Sequence, residues 1–263
     1  MRKYWYIFKA ELMSSFQYVF NFFSRIISYL LIMFVFMNLW KYIYSNPDEV
    51  INNYTMSQMI WYVTIAELIY SVMNGKKFCN KIINDVRSGN LVYNLNKPYS
   101  YINYLLFSHL GEIALNLVIS GIVGIAVGFL FLKEFPNLTL FSVLAVVITI
   151  VLAEVINILV TIFIGLFAFV IEDSAPFYWI YTKLKLILGT IFPIEFFPKA
   201  MQKILNFSPV YANSYGPAKL FVDFSVKQFG LVLLAQMAYI VIGYCMCLAI
   251  YKKGVKRLDV NGG

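Results

Sequence analysis

The sequence predicts an all-α integral membrane protein with six transmembrane helices, and three observations carry that reading. Apolar residues are 61% of the 263 and charged residues only 13%, where a soluble domain carries about 45–50% and about 25%. The 24 Phe and 20 Tyr leave too little charge to cover a water-facing surface. The apolar residues also fall in runs close to the roughly 20 residues that a helix needs to cross the hydrocarbon core. Together these exclude a soluble enzyme, a disordered tail and a disulfide-stapled secreted module. No secretion signal stands out, since Lys9 and Glu11 interrupt an aromatic N-terminal stretch that offers no small-residue cleavage site.

The elements follow in order. Trp5, Phe8, Leu12, Phe16 and Val19 repeat at helical spacing with Lys9, Glu11 and Ser15 between them, which predicts an interfacial helix within residues 1–22. Spans are expected over 26–44, 56–73, 105–132, 138–171 and 230–251, with a further one that starts near Tyr181 and soon meets Pro193. Trp40, Tyr42, Tyr44, Trp61, Tyr62, Tyr178 and Trp179 lie near span ends, as interfacial aromatic belts do.

Two connections are more than loops. Residues 74–100 are the longest polar run, where Gly75, Gly89 and Pro98 punctuate a short amphipathic helix bearing Ile82, Ile83 and Val86. Residues 192–226 hold Pro193, Pro198, Pro209 and Pro217 and are too apolar for a free loop yet too broken to cross. Irregular backbone at membrane depth must be buried in protein or line a cavity, so a hairpin re-entering from the outer surface is expected. Within it, Pro198 followed by Met201, Ile204, Leu205 and Phe207 predicts a proline-started amphipathic helix. No internal repeat or linker is visible, which makes residues 1–263 one transmembrane domain.

With a cytoplasmic N-terminus, fifteen Lys and Arg, Lys183 and Lys185 among them, fall inside and six fall outside. That asymmetry and an even number of crossings put both termini in the cytoplasm of a cell-membrane protein. The net charge of +8 is scattered among the spans, so it reads as topology rather than as a nucleic-acid surface.

Catalytic groups are scarce. Cys79, Cys245 and Cys247 have no zinc or disulfide spacing, and His109 is the only histidine. There is no P-loop, nucleophile elbow or zinc-protease motif. The chain therefore reads as a conduit or scaffold, with no metal and no cofactor of its own. Inside the spans, Glu154, Asn157 and Thr161 share one helix face. They read either as a translocation pathway or gate, or as a buried interhelical hydrogen bond that locks packing. His109 and Glu112 are three apart and expected to pair or to reach the interface, and Glu67 is read similarly. Ser120, Gly124 and Gly128, at four-residue intervals, mark close helix packing within one subunit or between two.

The stretch DVRSGNLVYNLNKPYSY, with Asp85, Gly89, Leu91, Leu95, Lys97, Pro98 and Ser100, resembles a signature of permease subunits in the type-two ABC exporter superfamily. FPIEFFPKAMQKILNFSP, through Pro193, Phe197, Pro198, Leu205 and Pro209, resembles the same family's segment after the fifth span. Asp85 and Lys97 stand where the family more often has Glu and Arg. The resemblance implies a permease without catalytic residues, paired with a second permease (identical or related) and with two separate ABC ATPase subunits holding ATP and Mg. It implies a coupling helix in which Asp85, Arg87 and Gly89 supply polar and turn elements. Ile82, Ile83, Val86 and Leu91 would form its apolar side against the ATPase. Phe197 and Pro198 would belong to an external gate. A gradient-driven secondary transporter or channel, which would need paired intramembrane charges or inverted repeats, and a non-transporting scaffold are the alternatives.

Overall fold

The computed structural model describes residues 2–261 apart from 18, 45, 47, 48, 74, 96 and 172. Helix accounts for 83% of the chain, and the β structure among the described residues is a two-residue hairpin, so the all-α expectation holds. Four helices are long and apolar enough to cross a membrane, over Phe23–Ile43, Tyr101–Leu132, Leu140–Phe169 and Val226–Lys256. That makes this a multi-pass membrane protein. Of the other two expected spans, the second is a shorter helix buried among these four, and the fifth is a shorter helix that leaves Phe177, Trp179, Ile180 and Leu184 exposed.

Helix α1 (Arg2–Ser15) lies along the N-terminal half of α6 (Tyr101–Leu132). It ends at Ser15, and residue 19 already opens α2 (Val19–Ile43), so the interfacial helix is shorter than the 1–22 expected. The seat on α6 is close. A Cβ on Gly111 would lie 2.4 Å from the Phe8 carbonyl oxygen, Ser108 donates to Glu11 at 3.0 Å, and Tyr4 stacks on Phe107. Trp5, Tyr6, Met13 and Phe16 stay exposed, an apolar row suited to the headgroup boundary.

A hairpin of β1 (Val50–Ile51) and β2 (Tyr54–Thr55) turns through Asn52 and Asn53, both at positive φ as such tight turns require. Thr55 then caps α3 (Met56–Ser71) in a reciprocal capping box with Gln58. Every residue of α3 from Met59 to Ile69 is buried. A helix buried all round belongs to a core. α3 has α2, α6 and α10 (Gly216–Val222) around it. At 16 residues it rises only about 24 Å, short of the roughly 30 Å hydrocarbon core. Trp40, Tyr44, Trp61 and Tyr62 belong to this core, at 0–3% exposure, and not to an interfacial belt. Tyr42 and Trp179 are exposed.

After α3 come α4 (Gly75–Arg87), a turn at Gly89 with φ of 72°, and α5 (Leu91–Leu95). Lys133 in the left-handed conformation ends α6, and a Thr139–Ser142 capping box starts α7 (Leu140–Leu166). The fifth segment starts at Ala175, earlier than expected, with Pro176 in its first turn. It runs as α8 (Ala175–Lys185) and continues as a π-helical stretch, Leu186–Ile191, to Pro193. The proline-rich region holds α9 (Lys199–Asn206), a second π-helical turn at Tyr211–Tyr215, and α10. α11 (Val226–Asn261) closes the bundle along α7. α9 begins at Pro198 as expected, but only Leu205 is buried, and Met201, Ile204 and Phe207 face outward.

The small-residue stripe on α6 packs within this subunit. A Cβ on Gly124 would lie 2.1 Å from the Tyr29 hydroxyl, and one on Gly128 would lie 2.7 Å from the Trp61 ring. The stripe thus admits aromatic side chains of α2 and α3, with Ser120 buried beside them. Gly124→Ala is expected to displace Tyr29, break its bond to the Thr64 carbonyl and destabilise the protein by about 1–3 kcal/mol. Adding Tyr29→Phe should recover part of that loss, as thermal denaturation in detergent would register.

Candidate functional site

Asn157, near the middle of α7, organises the buried polar groups. Its Oδ1 accepts from Tyr181 Oη, Lys185 Nζ and Asn213 Nδ2, each at 3.1 Å. Asn213 also donates to Tyr181 Oη at 2.9 Å. One amide oxygen therefore joins α7, α8 and the second π-helical turn. Thr161, one turn on, donates to the Asn157 backbone carbonyl at 2.8 Å. Of the three residues expected on one face, Glu154, Asn157 and Thr161 are all buried, at 1–2% exposure.

Lys185, counted in the sequence among the cytoplasmic-side charges, is buried inside the bundle. It is 5% exposed, lies over the Tyr70 ring and donates to the Ile69 carbonyl at 3.4 Å as well as to Asn157. Glu67 on α3 and Glu154 on α7 are buried around it, and none of their four carboxylate oxygens has a hydrogen-bond partner. Glu67 therefore does not reach an interface, contrary to expectation. A cavity of about 330 Å³ opens beside this cluster, lined by Glu67, Tyr70, Asn157, Thr161, Tyr181 and Lys185 among others.

The two π-helical stretches leave carbonyls out of register, and side chains meet them. Tyr62 donates to the Gly189 carbonyl at 2.7 Å, and Gln236 donates to that of Ala212, bonding the Thr149 carbonyl of α7 as well. Ahead of α9, Glu195 accepts from Tyr215 at 2.7 Å and from Tyr54 at 3.1 Å. Lys219 stands 3.6 Å from the same carboxylate and over the Tyr54 ring. These contacts tie residues 195–219 together and fasten them to Tyr54 of β2. Phe197, half-buried, packs edge-on to Phe192, and the exposed Pro198 starts α9.

α4 is strongly amphipathic, and its apolar side corrects the expectation for Ile82, Ile83 and Val86. These residues, with Cys79 and Phe78, are buried inside the chain, as is Leu91 on α5. Ile82 fills the space over Gly165 of α7, where a Cβ would come within 2.8 Å. Phe78 stacks on His109 at 4.0 Å, and His109 pairs with Glu112 as expected, at 2.9 Å. The apolar residues thus seat α4 on the helix bundle and are closed to any other protein. Its outer face presents Lys76, Lys77, Asn80, Lys81 and Asn84, which line an open groove with Asp85, and Arg87 is exposed. Asp85 is half-buried and accepts from Tyr101 Oη at 2.9 Å, which ties α4 to the start of α6.

Sequence reasoning missed Lys185, Glu67, Tyr181, Asn213 and Glu195 as members of these clusters. The available signals were a lysine just before an apolar segment that ends at Pro193, and an Asn-Ser pair between Pro209 and Pro217.

Two outcomes follow. Asn157→Leu, which strips three donors of their acceptor, is expected to cost about 2–5 kcal/mol, as melting of the purified variant beside the unsubstituted protein would register. The Cys79 thiol is pushed up to about 12 by burial, with the Asp173 carboxylate as second cause. It should therefore label slowly with a maleimide at neutral pH, and a Lys76→Cys variant should label fast on the outer face, as mass spectrometry would detect.

No curated protein sequence shows significant similarity to the chain. The family model described as ABC-2 family transporter protein matches residues 27–262, from early in α2 through the end of α11. With that match over nearly the whole chain and a helical multi-pass fold, the chain belongs to the ABC-2 family of transporter proteins.

Proposed function

We propose that the chain is the transmembrane subunit of an ATP-binding-cassette exporter, forming the translocation pathway and coupling it to two separate ABC ATPase subunits. ATP and Mg act on those partners, and this chain is not itself an enzyme. A second permease, identical or related, completes the pathway. The observation that carries the reading is α4, whose apolar side is anchored on α7 while a basic and amide-rich side is left uncovered. A helix fixed in this way can pass a push from a docked partner into the bundle as a rigid element.

In this reading six segments cross, the short α3 and the α8–π run among them; α3 is shielded from lipid by its neighbours, while α8 turns Phe177, Trp179, Ile180 and Leu184 outward. The excess of Lys and Arg on the side of α4 puts both termini in the cytoplasm, and removing Lys185 from the count leaves that excess. Glu154, Asn157 and Thr161 lie along the pathway, and the segment with Phe197 and Pro198 acts as the outer gate. Asp85 positions α4 through Tyr101, while Arg87 and the lysines of the outer face meet the ATPase. Ser120, Gly124 and Gly128 keep the scaffold tightly packed.

The Glu67, Lys185 and Glu154 cluster also suits a gradient-driven transporter, whose spans need paired charges. ATP-dependent, vanadate-sensitive transport in vesicles separates the two readings. Affinity purification from the native membrane is expected to recover a stoichiometric ATPase. Reversing Lys77, Lys81 and Arg87 together to Glu should abolish that recovery while the chain still folds. Recovery of the chain alone in several mild detergents would set the coupling reading aside.

A further inference from the structure

We propose that the cavity beside Lys185 binds an organic ammonium ion, held by the negative charge of Glu67 and the tyrosine rings around it. The first argument is charge. The ionisable groups buried at the centre of α3, α7 and α8 are Glu67, Lys185 and Glu154, two carboxylates to one ammonium, so the cluster is one positive charge short of neutrality. A buried excess charge is costly and is resolved by a counter-ion or a proton. The second argument is hydrogen bonding. Lys185 gives its bonds to two neutral acceptors, the Ile69 carbonyl and Asn157 Oδ1. All four carboxylate oxygens of Glu67 and Glu154 are left without a donor. Glu67 lines the cavity, and Glu154 is not among its lining residues.

The walls select the kind of cation. Tyr70, Tyr178 and Tyr181 line the cavity, and aromatic faces favour alkylammonium groups. Among the described residues no group of three His, Cys, Asp or Glu is placed to hold a metal ion, so a hard divalent cation has too few oxygen ligands. At about 330 Å³ the space is at the small end of ligand pockets. Its rim includes Ile32, exposed on the outer flank of α2, where a short alkyl chain finds an apolar surface. Lys76, also on the rim, is exposed, and its charge is screened by solvent. That this ion is the transported cargo rests on the exporter reading; that it binds does not.

The test is calorimetric titration of the chain alone in lipid nanodiscs, with empty nanodiscs as blank. Hexyltrimethylammonium and hexyl sulfate are the probes. The ammonium is expected to bind saturably and the sulfate not. Glu67→Gln should weaken ammonium binding by about ten- to a hundredfold, the loss of one charged contact. Thr182→Trp, at a partly exposed position of the wall, should block the cavity with the charges untouched. Preference for the sulfate, no saturable binding of either probe (a proton then balances the charge), or full affinity in a folded Glu67→Gln would each overturn the proposal. If Glu67→Gln does not fold, unchanged affinity in Thr182→Trp overturns it instead. Because no ATPase is present, failure here leaves the coupling reading standing, and an ATPase-free purification leaves the titration standing.

Discussion

Three donors from two separate stretches of chain converge on the side-chain oxygen of Asn157, and the arrangement of the bundle depends on that junction. In a lipid environment no water is at hand to satisfy a stray amide or ammonium, so each polar group at depth must find its partner within the protein. Tyr181, Lys185 and Asn213 do so at one atom. The same constraint governs the π-helical stretches, where Tyr62 and Gln236 take up the Gly189 and Ala212 carbonyls that regular helix geometry would have occupied. Broken backbone is thereby kept inside the membrane domain without exposing it to lipid.

Around this junction the helices divide their tasks. α2, α6 and α11 turn apolar faces outward, with Leu31, Phe34, Ile122, Leu130, Leu234 and Val241 all exposed, while α3 is buried on every side. α3 is too short to span by itself and has no outward face, and its stability comes from neighbours that contact it all round. It also leads into α4 within a few residues, and α4 is seated on α7 at Gly165. A displacement of α4 is therefore delivered directly to the two helices that carry Glu67 and Asn157. In the proposed exporter this is the mechanical route between an ATPase and the pathway.

Much of this was legible in the sequence. Apolar runs located the four long helices, because burial in lipid needs length and little else. The amphipathic pattern of Ile82, Ile83 and Val86 located α4, and Pro198 marked the start of α9. The pattern misled on direction: an apolar stripe on a short helix says that something covers it, and here the cover is α7 of the same chain. Trp40, Tyr44, Trp61 and Tyr62 misled in the same way, since aromatic residues near a span end suit an interface and a core equally well.

Composition and run length determined by themselves that the chain is a helical membrane protein. These are properties of the chain's solvent, and every residue contributes to them independently. Only the tertiary structure decided which polar residues meet. Glu67, Asn157, Lys185 and Asn213 come from separate segments, and nothing local in any of them encodes the others. The electrostatic cost of burying them is settled only when the helices pack, and so the charged cavity is a product of the packing.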